Sequence, residues 1–139
     1  MLLRLRSSTV DASYASAYSI PITTGSFVTP SLSLQIPKAG TWLIFAKAWV
    51  SNTDQSGSQS RIDAKLSIGG GGGDLDNSGV TLQPSYGAYG TIALSSAWKF
   101  ATSGSVDFFF LTFFNTPAEA ANIKMSAIRV DNLASGSLP

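Results

Sequence analysis

The chain's 139 residues contain neither histidine nor cysteine, so any acid–base or metal chemistry would fall to eight carboxylates: Asp11, Asp54, Asp63, Asp74, Asp76, Asp107, Glu119 and Asp131. Glycosidase chemistry needs two such groups held across a cleft, and nothing in the sequence shows that any two of these eight meet in that way. Nucleophilic serine chemistry needs an activating base, and neither a histidine nor a Ser-x-x-Lys catalytic motif is expected to supply one. Asp74-Leu75-Asp76-Asn77-Ser78-Gly79 has the Asp-x-Asp spacing of a calcium loop, but Ser78 stands where a further ligand is wanted. Leu82, Gln83 and Pro84 follow where a bidentate Glu belongs, so a solvated turn is the expectation. The glycine run Gly69–Gly73 lacks the Gly-Lys-Ser/Thr ending of a phosphate loop and reads as flexible backbone. Trp42, Trp49 and Trp98 would suit a sugar-stacking platform, yet each sits beside other apolar residues, which favours core or interface packing. No enzyme, no cofactor and no metal site is expected.

Composition narrows the partners. Charged residues make up 12% of the chain, about half the share usual in globular proteins. The surface must therefore be built mainly from Ser, Thr, Asn, Gln and Gly, as suits packed assemblies and extracellular particles. Nine basic and eight acidic residues nearly cancel, and Arg4 and Arg6 are the one close basic pair, so no nucleic-acid groove and no polybasic membrane patch is indicated. The opening Met-Leu-Leu-Arg-Leu-Arg interrupts any apolar signal region with arginine. No run approaches a transmembrane helix in length. Synthesis in a cytoplasm, with action wherever the assembly goes, is the expectation.

Period-two alternation with turn residues between runs predicts an all-β sandwich in one domain. Leu2–Arg6 reads as an edge strand or an arm. Residues 12–17, 18–23 and 27–36 read as extended, interrupted by Pro21, Gly25 and Pro30. Pro37-Lys38-Ala39-Gly40 is a tight turn feeding a strand over 41–52, with Trp42, Ile44, Ala46, Ala48 and Val50 on one face and Leu43, Phe45, Lys47 and Trp49 on the other. Residues 52–60 form a polar loop and 61–68 a strand with one wet face. Residues 69–79 read as a long exposed loop, 80–82 as a short strand, 84–87 as a turn and 89–100 as a strand. The last strand is expected over 123–133, after a loop at 115–121. The N-terminal arm and first edge strand take residues 1–26, the sandwich 27–133 and a small-residue tail 134–139.

Between these lies Val106-Asp107-Phe108-Phe109-Phe110-Leu111-Thr112-Phe113-Phe114, with five of the chain's eight phenylalanines. Val106, Phe108, Phe110 and Phe114 point one way and Phe109, Leu111 and Phe113 the other. One face fills a core; the other needs a second cover. A neighbouring subunit could supply it, or the strand could be covered on both faces inside one thick core.

Three segments carry a resemblance: Ile36-Pro37-Lys38-Ala39-Gly40-Thr41-Trp42-Leu43-Ile44-Phe45-Ala46, Ala101-Thr102-Ser103-Gly104-Ser105-Val106, and Ile123-Lys124-Met125-Ser126-Ala127-Ile128. In this order they resemble the TNF/C1q-like jelly rolls, with Gly40-Thr41-Trp42 in place of the commoner Gly-x-Tyr or Gly-x-Phe. The polar, cysteine-free character is similar to small virion proteins of tailed bacteriophages. The resemblance covers 27–133 and leaves the first 26 residues unmatched. It implies an antiparallel two-sheet jelly roll that forms a homotrimer, with Phe109, Leu111 and Phe113 at the interface and Tyr86 and Tyr89 beside them. It implies a virion location and three roles. The first is a capsid decoration or cement protein bound to the major capsid protein or other virion subunits. The second is a receptor-binding tip of a tail or head fibre, and the third a carbohydrate-binding module recognising a host surface glycan. For the decoration role, Leu2, Leu3, Arg4, Leu5 and Arg6 are expected to touch the shell, and the loops 52–60 and 69–79 to face outward.

Overall fold

The computed structural model describes residues 11–23, 25, 27, 30–113 and 116–130. They form eight strands: β1 (Ala12–Ile22), β2 (Leu32–Ile36), β3 (Gly40–Asn52), β4 (Ser60–Ile68), β5 (Asp74–Leu82), β6 (Tyr89–Phe100), β7 (Gly104–Phe113) and β8 (Ala118–Val130). Two antiparallel four-stranded sheets result, ordered β1-β8-β3-β6 and β2-β7-β4-β5. Apart from the β4–β5 hairpin, successive strands alternate between sheets so that each hydrophobic face meets the other, the all-β sandwich expected from the period-two pattern.

The inward residues of β3 are Trp42, Ile44, Ala46, Ala48 and Val50, all buried. Opposite them lie Leu34 and Ile36 of β2, Ile62, Ala64 and Leu66 of β4, and Val106, Phe108 and Phe110 of β7. Phe108 and Phe110 stand with ring centroids 4.5 Å apart. The small residues on β3 leave room for these rings. The Pro37–Gly40 turn is held by the Trp42 indole, whose Nε1 donates to the Lys38 carbonyl at 3.1 Å. At Gly40 the backbone takes φ 135°, and a Cβ there would collide with the Arg129 side chain; the turn therefore needs glycine.

Both pairs of sheet edges are laced, which blunts the usual hazard of open edges. Ser13 Oγ of β1 donates to the Gln35 carbonyl of β2 at 2.5 Å. The Ser95 amide of β6 donates to Asp76 Oδ2 of β5 at 2.9 Å. A register shift between Lys47 and Trp49 marks one extra residue in β8, where Asn122 takes φ 49°. Because β1 follows β8 in unbroken register, Ile20 and Ile22 stay on the core side with Ala118 and Ala120.

Several expected boundaries move. Residues 12–17 and 18–23 are one strand, with Pro21 tolerated because β1 is an edge. The exposed loop expected over 69–79 is only Gly69–Gly73; Asp74–Leu82 pairs with β4 along its length. Its Gly- and Asp-rich sequence has poor strand propensity, and the pairing is secured by Val80 and Leu82 on the core side and by Asp74 accepting from Lys65 Nζ and Ser67 Oγ. Likewise β8 begins at Ala118 within the segment expected as a loop, since Ala118 and Ala120 pack into the core. The loops 52–60 and 69–73 lie at opposite poles. The Gly69 amide donates to the Ser105 carbonyl at the start of β7, whereas the Thr53 amide donates to the Pro117 carbonyl beside the start of β8. They cannot both face the same way. Leu2–Arg6, Phe114, the 131–133 end of the last strand and the 134–139 tail lie outside the described residues.

Candidate interaction face

The outer face of the β2-β7-β4-β5 sheet carries Phe109, Leu111 and Phe113. Much of it already has cover. Leu111 is only 7% exposed. Phe27, from the segment between β1 and β2, packs edge-on against Phe109 with centroids 6.3 Å apart. Lys65 Nζ lies 5.0 Å from the Phe27 ring centre and 5.4 Å from that of Phe109. The Arg61 guanidinium sits 5.3 Å over Phe113. These are cation–π contacts of the usual range, made by cross-strand partners: Lys65 opposes Phe109 and Arg61 opposes Phe113. Tyr89 does not join this group; it opposes Ser51 on the other sheet. Tyr86 lies in the β5–β6 connection, and both tyrosines are exposed. The five residues expected at one interface are thus divided between the two sheets and a connecting loop.

The opposite outer face, on β1-β8-β3-β6, has no such cover among the described residues. Tyr14 and Tyr18 of β1, Phe45 and Trp49 of β3 and Tyr89 of β6 are 45–86% exposed, and Ile128 of β8 is 41% exposed. Phe45 stands between Ser126 and Ser95 across the sheet, and Tyr14 opposes Ser126 from the far side. Around Phe45 lies an open depression of about 480 Å³ whose lining includes Tyr14, Lys47, Ser95, Lys124 and Ser126. A contiguous apolar patch with polar neighbours is an interaction surface by default. Its signal was present in the sequence as the second apolar face of 41–52.

The tryptophans do not form a platform: Trp42 is wholly buried, Trp49 lies on this outer face, and Trp98 opposes Trp42 on edge strand β6, half-exposed. The carboxylates of the 74–79 segment are engaged by protein donors. Asp74 accepts from Lys65 and Ser67, and these hydrogen bonds, Lys65 first, hold its pKa below the ordinary carboxylate value. Asp76 accepts from the amides of Asn77 and Ser95. The 74–79 segment is therefore a laced edge strand, and among the described residues no three His, Cys, Asp or Glu side chains gather to hold a metal. Ser96-Ala97-Trp98-Lys99 has the Ser-x-x-Lys spacing of some serine hydrolases. On a strand, however, positions three apart point to opposite faces: Ser96 pairs with inward Ile44, and Lys99 with Thr41 beyond the core.

Comparison with known proteins isolates the fold from any role. No protein-family model and no curated protein matches the chain. Among solved structures it is similar to Eiger TNF from S. frugiperda, with a TM-score of 0.60 over 94% of this chain and 98% of that one, at 5% sequence identity. The fold is a TNF/C1q-like jelly roll. At that identity the likeness extends to the path of the chain alone. The sheet orders and the two laced edges fit this architecture.

Proposed function

We propose that this chain is a non-enzymatic structural subunit that self-associates as a homotrimer and decorates the capsid of a tailed bacteriophage, where it ties neighbouring shell subunits together. The observation that carries the self-association is the exposed aromatic face of the β1-β8-β3-β6 sheet, uncovered by the described residues: Tyr14, Tyr18, Phe45, Trp49 and Tyr89 with Ile128. Burying a large apolar side chain is worth about 1.5–3 kcal/mol, so a few of these per subunit offset an association cost of about 4–15 kcal/mol. The association surface is placed here, rather than at Phe109, Leu111 and Phe113, because those three are partly covered within their own protomer. The virion role is supported by the sparsely charged surface and by the resemblance to small phage virion proteins.

Sedimentation equilibrium or mass photometry tests the association, with a trimer expected at micromolar concentration and a stable monomer overturning it. Copy number per particle tests the role: tens to hundreds of copies fit decoration, and a handful fits a fibre tip. Removing residues 1–10 is expected to abolish particle binding while leaving the trimer folded; undiminished binding would place the shell contact elsewhere.

A further inference from the structure

Lys47 of β3 and Lys124 of β8 are directly opposed in the sheet register, and both point to the outer face. Like charges placed directly across a strand pair repel. Elsewhere in the described residues the basic side chains other than Lys99 are matched: Lys38 and Arg129 with Asp11, Arg61 with Asp63, Lys65 with Asp74. Lys47 and Lys124 have no carboxylate within salt-bridge distance among those residues. The acid that shares their sheet face, Glu119, opposes Ser51 beyond the bulge. Both lysines line the depression around Phe45, together with the hydroxyl-bearing Tyr14, Ser95 and Ser126. Two lysines and three hydroxyl-bearing side chains lining one open depression offer the kind of donors a multivalent oxyanion takes.

We propose that the Lys47–Lys124 pair is a binding site for a phosphate- or sulfate-type group, and that its occupancy is linked to burial of this face in the oligomer. The site lies within one protomer; only its linkage to assembly rests on the self-association proposed above. A second copy presenting the same face brings further lysines rather than a matching pair of carboxylates. Burying unpaired ammonium groups is costly, so the counter-charge has to come from solution. By linkage, an anion that binds the assembled state better drives assembly.

The test titrates inorganic phosphate and sulfate against chloride at matched ionic strength, with dextran sulfate as a polymeric arm. Binding is read from lysine side-chain NMR signals and assembly from sedimentation equilibrium. Phosphate or sulfate is expected to perturb Lys47 and Lys124 selectively and to tighten assembly about tenfold over chloride. A response to dextran sulfate alone supports the site and assigns the source to a polyanion. Lys47→Met and Lys124→Met should each remove the anion response, and the double variant should assemble in chloride alone. A trimer indifferent to the anion, or variants that keep the response, would overturn the linkage. Lysine signals unmoved by all three anions would overturn the site. A monomer that still binds phosphate at these lysines would keep the site while removing the self-association reading.

Discussion

The two outer faces of this sandwich begin from the same sequence signature and end in different conditions. β7 and β3 each carry apolar residues on both sides, Phe109, Leu111 and Phe113 in one and Leu43, Phe45 and Trp49 in the other. On β7 the outward side is roofed by Phe27, Lys65 and Arg61; on β3 Phe45 and Trp49 stand exposed. A strand's own pattern states that a second cover is needed. What supplies it is decided by residues far away in sequence, here a phenylalanine 82 positions before Phe109 and two basic side chains on the neighbouring strand.

That contrast can be broken by mutation. Leu111→Ala should lower folding stability by about 2–5 kcal/mol, as for other buried leucines, read as a drop in Tm of the isolated protein; an unchanged Tm would mean that the face is not roofed. Phe27→Ala should cost less, about 1 kcal/mol, the scale of one aromatic pair, and should leave Phe109 open to solvent. Denaturant melts can resolve a change of that size. Phe45→Ser and Trp49→Ser should leave folding stability within about 0.5 kcal/mol of the parent while weakening the oligomer in sedimentation. If instead they unfold the chain and spare its assembly, the roles of the two faces are reversed.

The smallest effect falls on the polar loop at one rim of the two faces. Asp54 accepts from the Ser56 hydroxyl and amide and from the Ser58 amide, and these bonds lower its pKa to about 2, from the ordinary aspartate value of 3.8. A lowered carboxylate pKa means that the loop's stabilisation is complete above the unfolded value near 3.8 and is lost as pH falls toward 2. Amide shifts of Ser56 and Ser58 should therefore titrate late, between pH 4 and 2. Titration at the ordinary Asp midpoint would show that the loop is open. Asp54→Asn should keep an acceptor but remove that pH dependence.

The sandwich was legible in the sequence because alternation and turn chemistry agree over most strands, most clearly at Pro37–Gly40 and the strand behind it. β5 was not, because Gly79 and three acidic or amide residues hide a strand whose partner β4 supplies the order. The parity change in β8 was also hidden: Asn122 at positive φ looks like any other asparagine in the sequence. For the candidate site, the second apolar face of β3 was visible, but choosing between it and β7 required knowing that Phe27 lands on Phe109. The opposed lysines depend on the β3–β8 register, which no residue type announces.

The pairing of β1 with β8 has a consequence for engineering. The Arg129 amide donates to the Asp11 carbonyl at 2.9 Å, and the Asp11 carboxylate holds both Lys38 and Arg129. The two ends of the described chain are therefore neighbours in space, the arrangement that favours circular permutation. A short linker from Val130 to Asp11, with new termini opened in the exposed Gln55–Gly57 segment, would keep every strand and its register. Fused cargo would then leave from the opposite pole, letting the same sandwich display a passenger at either end.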